Sequence, residues 1–84
     1  MTYEQALAEV RDKGLRNCSD AAAMAAFCES TLVYMVGAVS GRLVWEGAKH
    51  RGMSYLELAG MAAHNPMQVN DLQWIGDEEN VSEH

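Results

Sequence analysis

Basic charge is missing from a third of this chain: between Gly52 and His84 there is not one lysine or arginine. Such a stretch repels nucleic-acid backbones and anionic lipid, and it attracts basic protein surfaces. Proline is nearly missing too, with Pro66 alone in 84 residues, so before Asn65 only glycines and capping residues can break a helix. Aromatics are few: Tyr3, Phe27, Tyr34, Trp45, Tyr55 and Trp74. With so little large apolar surface, a core must come from close helix packing or from a partner's surface. Two cysteines, Cys18 and Cys28, do not make a disulfide scaffold, and the acidic, polar start MTYEQALAEVRDK is unlike a secretion signal. The expected compartment is the cytoplasm, with both thiols free.

Chemistry-bearing patterns are also lacking. His50, His64 and His84 stand at ligand spacing with neither one another nor the cysteines. There is no glycine-rich phosphate loop and no paired nucleophile and base. These absences argue for a protein that is not an enzyme and that needs no cofactor or metal.

What is present points to helices. The chain is 49% hydrophobic, much of it alanine, the best helix former and a poor source of buried area. Its net charge of −6 arises wholly after Arg51. Up to Arg51 six acids balance all six bases; beyond it Glu57, Asp71, Asp77, Glu78, Glu79 and Glu83 stand alone. The dominant stretch is AAAMAAFCESTLVYMVGAVSG, Ala21 to Gly41, whose sole charge is Glu29. The spacing allows one helix from about Ala21 to His50, or a break where Gly37, Gly41 and Gly47 accumulate; the expectation is a helix continuing at least to Trp45, bent near the glycines. Leu32, Val36, Val39 and Leu43 make one seam, and Gly37 with Gly41 forms a GxxxG that lets two backbones approach. A run that is apolar nearly all round, in a chain too short to surround it, suggests a homodimer whose interface uses Leu32, Val36, Gly37, Val39 and Gly41. Membrane spanning is disfavoured by Glu29 and by alanine's low hydropathy.

The other helices carry clear start signals. Thr2 and Gln5 stand in capping-box spacing, with Tyr3, Ala6, Leu7 and Val10 on one face and Gly14 as the stop. Asn17, Ser19 or Asp20 can cap the long helix. Lys49, His50 and Arg51 suit a helix C-terminus, with Gly52 ending it. Ser54 and Glu57 form a second capping box before Leu56, Ala59 and Ala63, which share a face. Asn65 and Pro66 then open a helix through Val69, Leu72 and Ile75, closed by Gly76. The fold expected is all-α, three to four helices around a long central apolar helix, as a single domain over residues 1–76. Residues 77–84 are expected to form an acidic flexible tail.

The stretch RGMSYLELAGMAAHNPMQVNDLQWIG, residues 51–76, resembles the helix-turn-helix of Cro and Xre-type repressors. Gly52, Met53, Ser54, Glu57, Leu58 and Ala59 match its first part, and Val69 and Leu72 match apolar positions of its second helix. The resemblance implies a dimeric transcriptional regulator with Asn65, Gln68, Asn70 and Gln73 facing base edges. Departures fall on what DNA binding needs: Ala63 replaces the turn glycine, Asp71 sits on the would-be recognition helix, and neither helix holds a lysine or arginine. Direct nucleic-acid binding is therefore the alternative reading.

The preferred reading is a protein-binding module that acts stoichiometrically as an inhibitor or regulator. Six methionines, with Met53, Met61 and Met67 near Tyr55 and Trp74 in the acidic half, have the composition of an adaptable apolar patch with an acidic rim. The expected partner surface comprises Met67, Asp71, Trp74, Asp77, Glu78 and Glu79. In size, acidity and lack of catalytic residues the chain resembles the small inhibitors of phages and mobile elements, anti-CRISPR and other anti-defence proteins included. That resemblance implies a partner that is a host nucleic-acid-binding protein, blocked by carboxylates standing where phosphates would sit.

Overall fold

Five α-helices follow one another in the computed structural model, which describes residues 1–32 and 40–74. The all-α class matches the sequence reading. Helix α1 spans Tyr3–Lys13, and its capping box forms as the spacing predicts: Gln5 N–H donates to Thr2 Oγ1, and Thr2 N–H to Gln5 Oε1. Gly14 ends it at φ +82°, a left-handed value that glycine adopts without a Cβ penalty. Tyr3 and Ala6 are buried, with Leu7 and Val10 packed beside them, and α1 lies chiefly against α2.

Helix α2 runs Asp20–Ala26 and is capped twice. Ser19 Oγ accepts from Ala22 N–H, while the Glu9 carboxylate reaches from α1 to accept from Ser19 N–H. Asp20 in turn accepts from Tyr55 N–H at 2.9 Å, tying the start of α2 to a segment thirty-five residues further on. A carboxylate on one helix thus satisfies an orphan amide at the start of another.

The expected single helix from Ala21 to Trp45 is not what forms. After Ala26 the backbone widens to a π-helix over Phe27–Leu32, where Ser30 Oγ donates to Ala26 O at 2.8 Å and competes with the main-chain ladder. Ser40 is extended (φ −82°, ψ 114°), and its hydroxyl caps a new helix, α3, Gly41–His50. A π-turn and a capping serine rotate the later side chains out of the predicted seam, so Leu32 and Leu43 do not share one continuous helix face.

Helix α3 carries the centre of the core. Trp45 is fully buried, edge-on to Tyr3 with ring centroids 5.3 Å apart, and its Nε1–H donates to Ala21 O at 2.9 Å. Lys49 Nζ lies 3.9 Å from the Trp45 ring centroid, and the ammonium also donates to Met1 O. Met24, Cys28, Leu32, Val44, Leu58 and Val69 share the buried core with it. Gly52 ends the α3 turn at φ +74°.

Helix α4, Tyr55–His64, starts at the predicted Ser54/Glu57 capping box. It turns Leu58 and Ala62 to the core and leaves Leu56 76% exposed. The face carrying Leu56 and Ala63, read from sequence as a unit, is therefore the outer one. Pro66 takes the first position of α5, as predicted, but Asn65 makes no side-chain cap, and α5 covers only Pro66–Val69 before a 3-10 turn at Asn70–Leu72. The predicted continuation through Ile75 gives way to an extended residue, Gln73 (ψ 129°). The chain leaves the helix to lie along α3 instead. No helix among the described residues is long and apolar enough to cross a membrane.

Candidate functional site

The segment after α5 is clipped onto α3 by four interactions of different kinds. Arg51 Nη1 donates to Leu72 O at 3.0 Å and to Gly47 O at 3.3 Å. Trp74 N–H donates to Leu43 O at 3.1 Å. The Trp74 ring stacks on His50, centroids 3.8 Å apart and 20° from parallel. Leu72 buries its side chain, and its carbonyl passes so close to Gly47 that a Cβ there would stand 1.5 Å from the oxygen. Lys49, His50 and Arg51 form an exposed basic helix end, as the sequence predicts, and they also divide three contacts: Lys49 covers Trp45, His50 stacks on Trp74, and Arg51 holds Leu72. The one advance signal was Gly47, an unexplained glycine inside a helical pattern.

Of the six residues expected to meet a partner, the structure presents two at the surface and holds a third. Met67 is 77% exposed and Asp71 is exposed. Trp74 is half-buried by its stack on His50. Asp77, Glu78 and Glu79 lie outside the described residues. Of the five positions expected at a dimer interface, Leu32 is fully buried in the chain's own core. Gly41 is buried beneath Cys28, where a Cβ would stand 2.7 Å from the Cys28 carbonyl oxygen. Val36, Gly37 and Val39 lie outside the described residues.

The helix-turn-helix resemblance meets a short second helix. Gln68 is exposed and Asn70 half-buried, but α5 is one α-turn followed by one 3-10 turn. Seven residues at about 1.5–2.0 Å rise give an element roughly 10–14 Å long. Its sole charged residue is Asp71.

A second local constellation surrounds Tyr3. Its hydroxyl donates to Glu29 Oε1 at 2.7 Å and lies 3.4 Å from Ala25 O. Burial, then the hydrogen bond to Glu29 and that carboxylate's charge, push the phenol well above its ordinary range. Cys28, fully buried beside it, is pushed up to about 12 by desolvation and by Glu29, so its thiol is not a nucleophile. These groups hold α1, α2 and α3 together.

One hollow of about 100 Å³ opens beside the π-helical turn, lined by Leu15, Phe27 and Tyr55 with the hydroxyl-bearing Ser30 and Thr31. It is well below the roughly 300–1,000 Å³ of small-molecule sites. Among the described residues no three His, Cys, Asp or Glu side chains come together as a metal site. Among the described residues, the Pro66–Trp74 segment on its α3 support carries both exposed Met67 and exposed Asp71. Set against protein-family models, curated proteins and solved structures, the chain matches none.

Proposed function

We propose that this chain is a small acidic protein-binding module that acts stoichiometrically, inhibiting or regulating another protein through the Pro66–Trp74 segment and the acidic residues Asp77, Glu78 and Glu79. The observation that carries the reading is Met67, 77% exposed on the short helix that precedes the Leu72–Trp74 clip, close in sequence to exposed Asp71 and within a stretch of sequence that has no lysine or arginine after Arg51. An apolar anchor on a pre-organised support loses little entropy on binding. The surrounding carboxylates select a basic partner surface, including one that otherwise holds nucleic-acid phosphates. An anti-defence role of the anti-CRISPR kind, carried by a phage or mobile element, fits this chemistry.

The test begins with the partner recovered from the native cell by the tagged chain and then purified. Calorimetric titration is expected to give one chain bound per partner site, with nucleic acid competing for that site. Met67→Asp should weaken binding at least about tenfold, the loss of about 1.4 kcal/mol that one uncovered anchor implies. Unchanged affinity of the Met67→Asp protein rejects the surface, and a ternary complex with nucleic acid rejects the competition. A band shift of genomic fragments by the chain alone at low salt would instead favour the transcriptional regulator.

A further inference from the structure

On the outer face of α4 an apolar strip, Leu56, Gly60 and Ala63, packs on nothing among the described residues. At 100° per residue, Gly60 lies directly opposite the core-facing pair Leu58 and Ala62. Leu56 and Ala63 flank it on one side, Glu57 and His64 on the other, and all four are exposed. A Cβ built on Gly60 would meet no atom within 4 Å, so the middle of this face is open.

The order of these residues along the helix decides what fits against them. The acid sits in the first turn and the histidine in the last, about equally far from Gly60. Now let a second copy of α4 lie antiparallel, about a two-fold axis beside Gly60. The two glycines meet, and with no side chain between them the backbones approach closely. On one flank each Leu56 covers the second copy's Ala63. On the other, each Glu57 faces the second copy's His64. A parallel two-fold pair would swap the flanks, setting each Glu57 carboxylate against the second copy's Leu56, and would align the helix dipoles, both unfavourable. Glu57 is already oriented for the contact: its Oε1 accepts from Ser54 N–H at 2.8 Å in the capping box, and its second oxygen makes no hydrogen bond among the described residues. His64 likewise has no hydrogen-bond partner among them, and it can donate N–H to a carboxylate as imidazole or imidazolium.

We propose that two copies of this chain associate through the outer face of α4, antiparallel and centred on Gly60, with Glu57 of each copy hydrogen-bonded to His64 of the other. This interface uses residues other than those proposed to meet a partner protein, and it differs from the Leu32–Gly41 seam that the sequence suggested. Two ten-residue helices bury less than the roughly 1,200 Å² of a standard interface, so the dissociation constant belongs on the order of tens of micromolar.

Sedimentation velocity from about 5 to about 500 µM chain reads this directly. The parent is expected to pass from monomer to dimer over that range. Gly60→Leu should raise the dissociation constant at least about tenfold while its thermal midpoint in dilute solution equals or exceeds the parent's, because the space is open and leucine is the better helix former. Orientation is read by mixing Leu56→Cys chains with Ala63→Cys chains, each also carrying Cys18→Ser, and oxidising. Disulfides between unlike chains should outnumber those between like chains. A chain that stays monomeric throughout overturns the proposal, as does a dimer whose dissociation constant is unmoved by Gly60→Leu. Predominance of like-chain disulfides at position 56 overturns the antiparallel geometry.

Discussion

Replacing Gly47 with alanine tests the closest approach in the molecule. The new Cβ would lie 1.5 Å from the Leu72 carbonyl oxygen and 2.7 Å from its carbon, both backbone atoms that cannot swing aside. Since real contacts of this kind fall above 3 Å, the segment must retreat from α3 by more than an ångström. That retreat breaks the Arg51 bond to Leu72 O and the Trp74 N–H bond to Leu43 O, and it unstacks Trp74 from His50. Two hydrogen bonds at about 1 kcal/mol each and an aromatic stack at about 1 kcal/mol give a loss of about 3 kcal/mol. Alanine's higher helix propensity returns about 1 kcal/mol, leaving a net cost of about 2 kcal/mol. Out of a total of about 4–13 kcal/mol for a chain of this length, that is a large fraction. It corresponds to a drop of roughly 8–16 °C in Tm. Urea unfolding followed by tryptophan fluorescence measures the loss, and amide exchange at Trp74 shows whether the segment has come away. Gly60→Ala is the control: the same chemical change, also within a helix, but into open space, and expected to stabilise by about 0.5–1 kcal/mol. If Gly47→Ala unfolds within about 0.5 kcal/mol of the parent, the argument from close packing is refuted.

Three further outcomes follow from buried and capping groups. In a spectrophotometric titration of the three tyrosines, one, Tyr3, should stay protonated far into alkali until the chain unfolds, and Tyr3→Phe should abolish that late step while costing about 1 kcal/mol. Glu9 is held below the ordinary carboxylate range by its hydrogen bonds to Ser19, so its contribution is complete above that range and is lost as pH falls through the depressed value. Acid unfolding of Glu9→Gln should accordingly lose part of its steepness below pH of about 4.5, and an unaltered acid transition would show that this cap adds nothing. With a thiol reagent at neutral pH, Cys18 should react in the native state, whereas Cys28, buried and pushed up to about 12, should react only on unfolding. Equal rates for the two thiols would contradict the position given to Cys28.

Local signals set by a few neighbouring residues were open to reading from the sequence. The Thr2/Gln5 and Ser54/Glu57 boxes, the stops at Gly14 and Gly52 and the proline at the start of α5 all depend on hydrogen bonds and dihedrals within about four residues. So did the absence of a basic residue after Arg51, and with it the acidic character of the C-terminal half. The apolar stretch from Ala21 was legible as helix-forming, but its length was not. Alanine, valine and glycine do not distinguish one bent helix from two, and the choice fell to Ser30, whose hydroxyl turns on its own helix, and Ser40, whose hydroxyl caps the next.

That break changes the whole molecule. One uninterrupted helix would have lacked enough large side chains to cover it; among the described residues α2 with its π-helical turn packs against α3. Trp45 comes against Tyr3 and Ala21, residues forty-two and twenty-four positions away whose meeting no local pattern records, while Lys49, one turn on in α3, covers its ring. The same holds for Gly47, which read as a weak point in a helix and is the place where Leu72 lies against it. Sequence alone determined the all-α class, the starts of α1, α2, α4 and α5 and the charge of the C-terminal half, because these are properties of neighbours. Tertiary structure alone decided which face of α4 turns to the core, and that Leu32 and Gly41 are taken up inside the chain while Met67 stands out from it, because burial depends on what arrives from elsewhere in the chain.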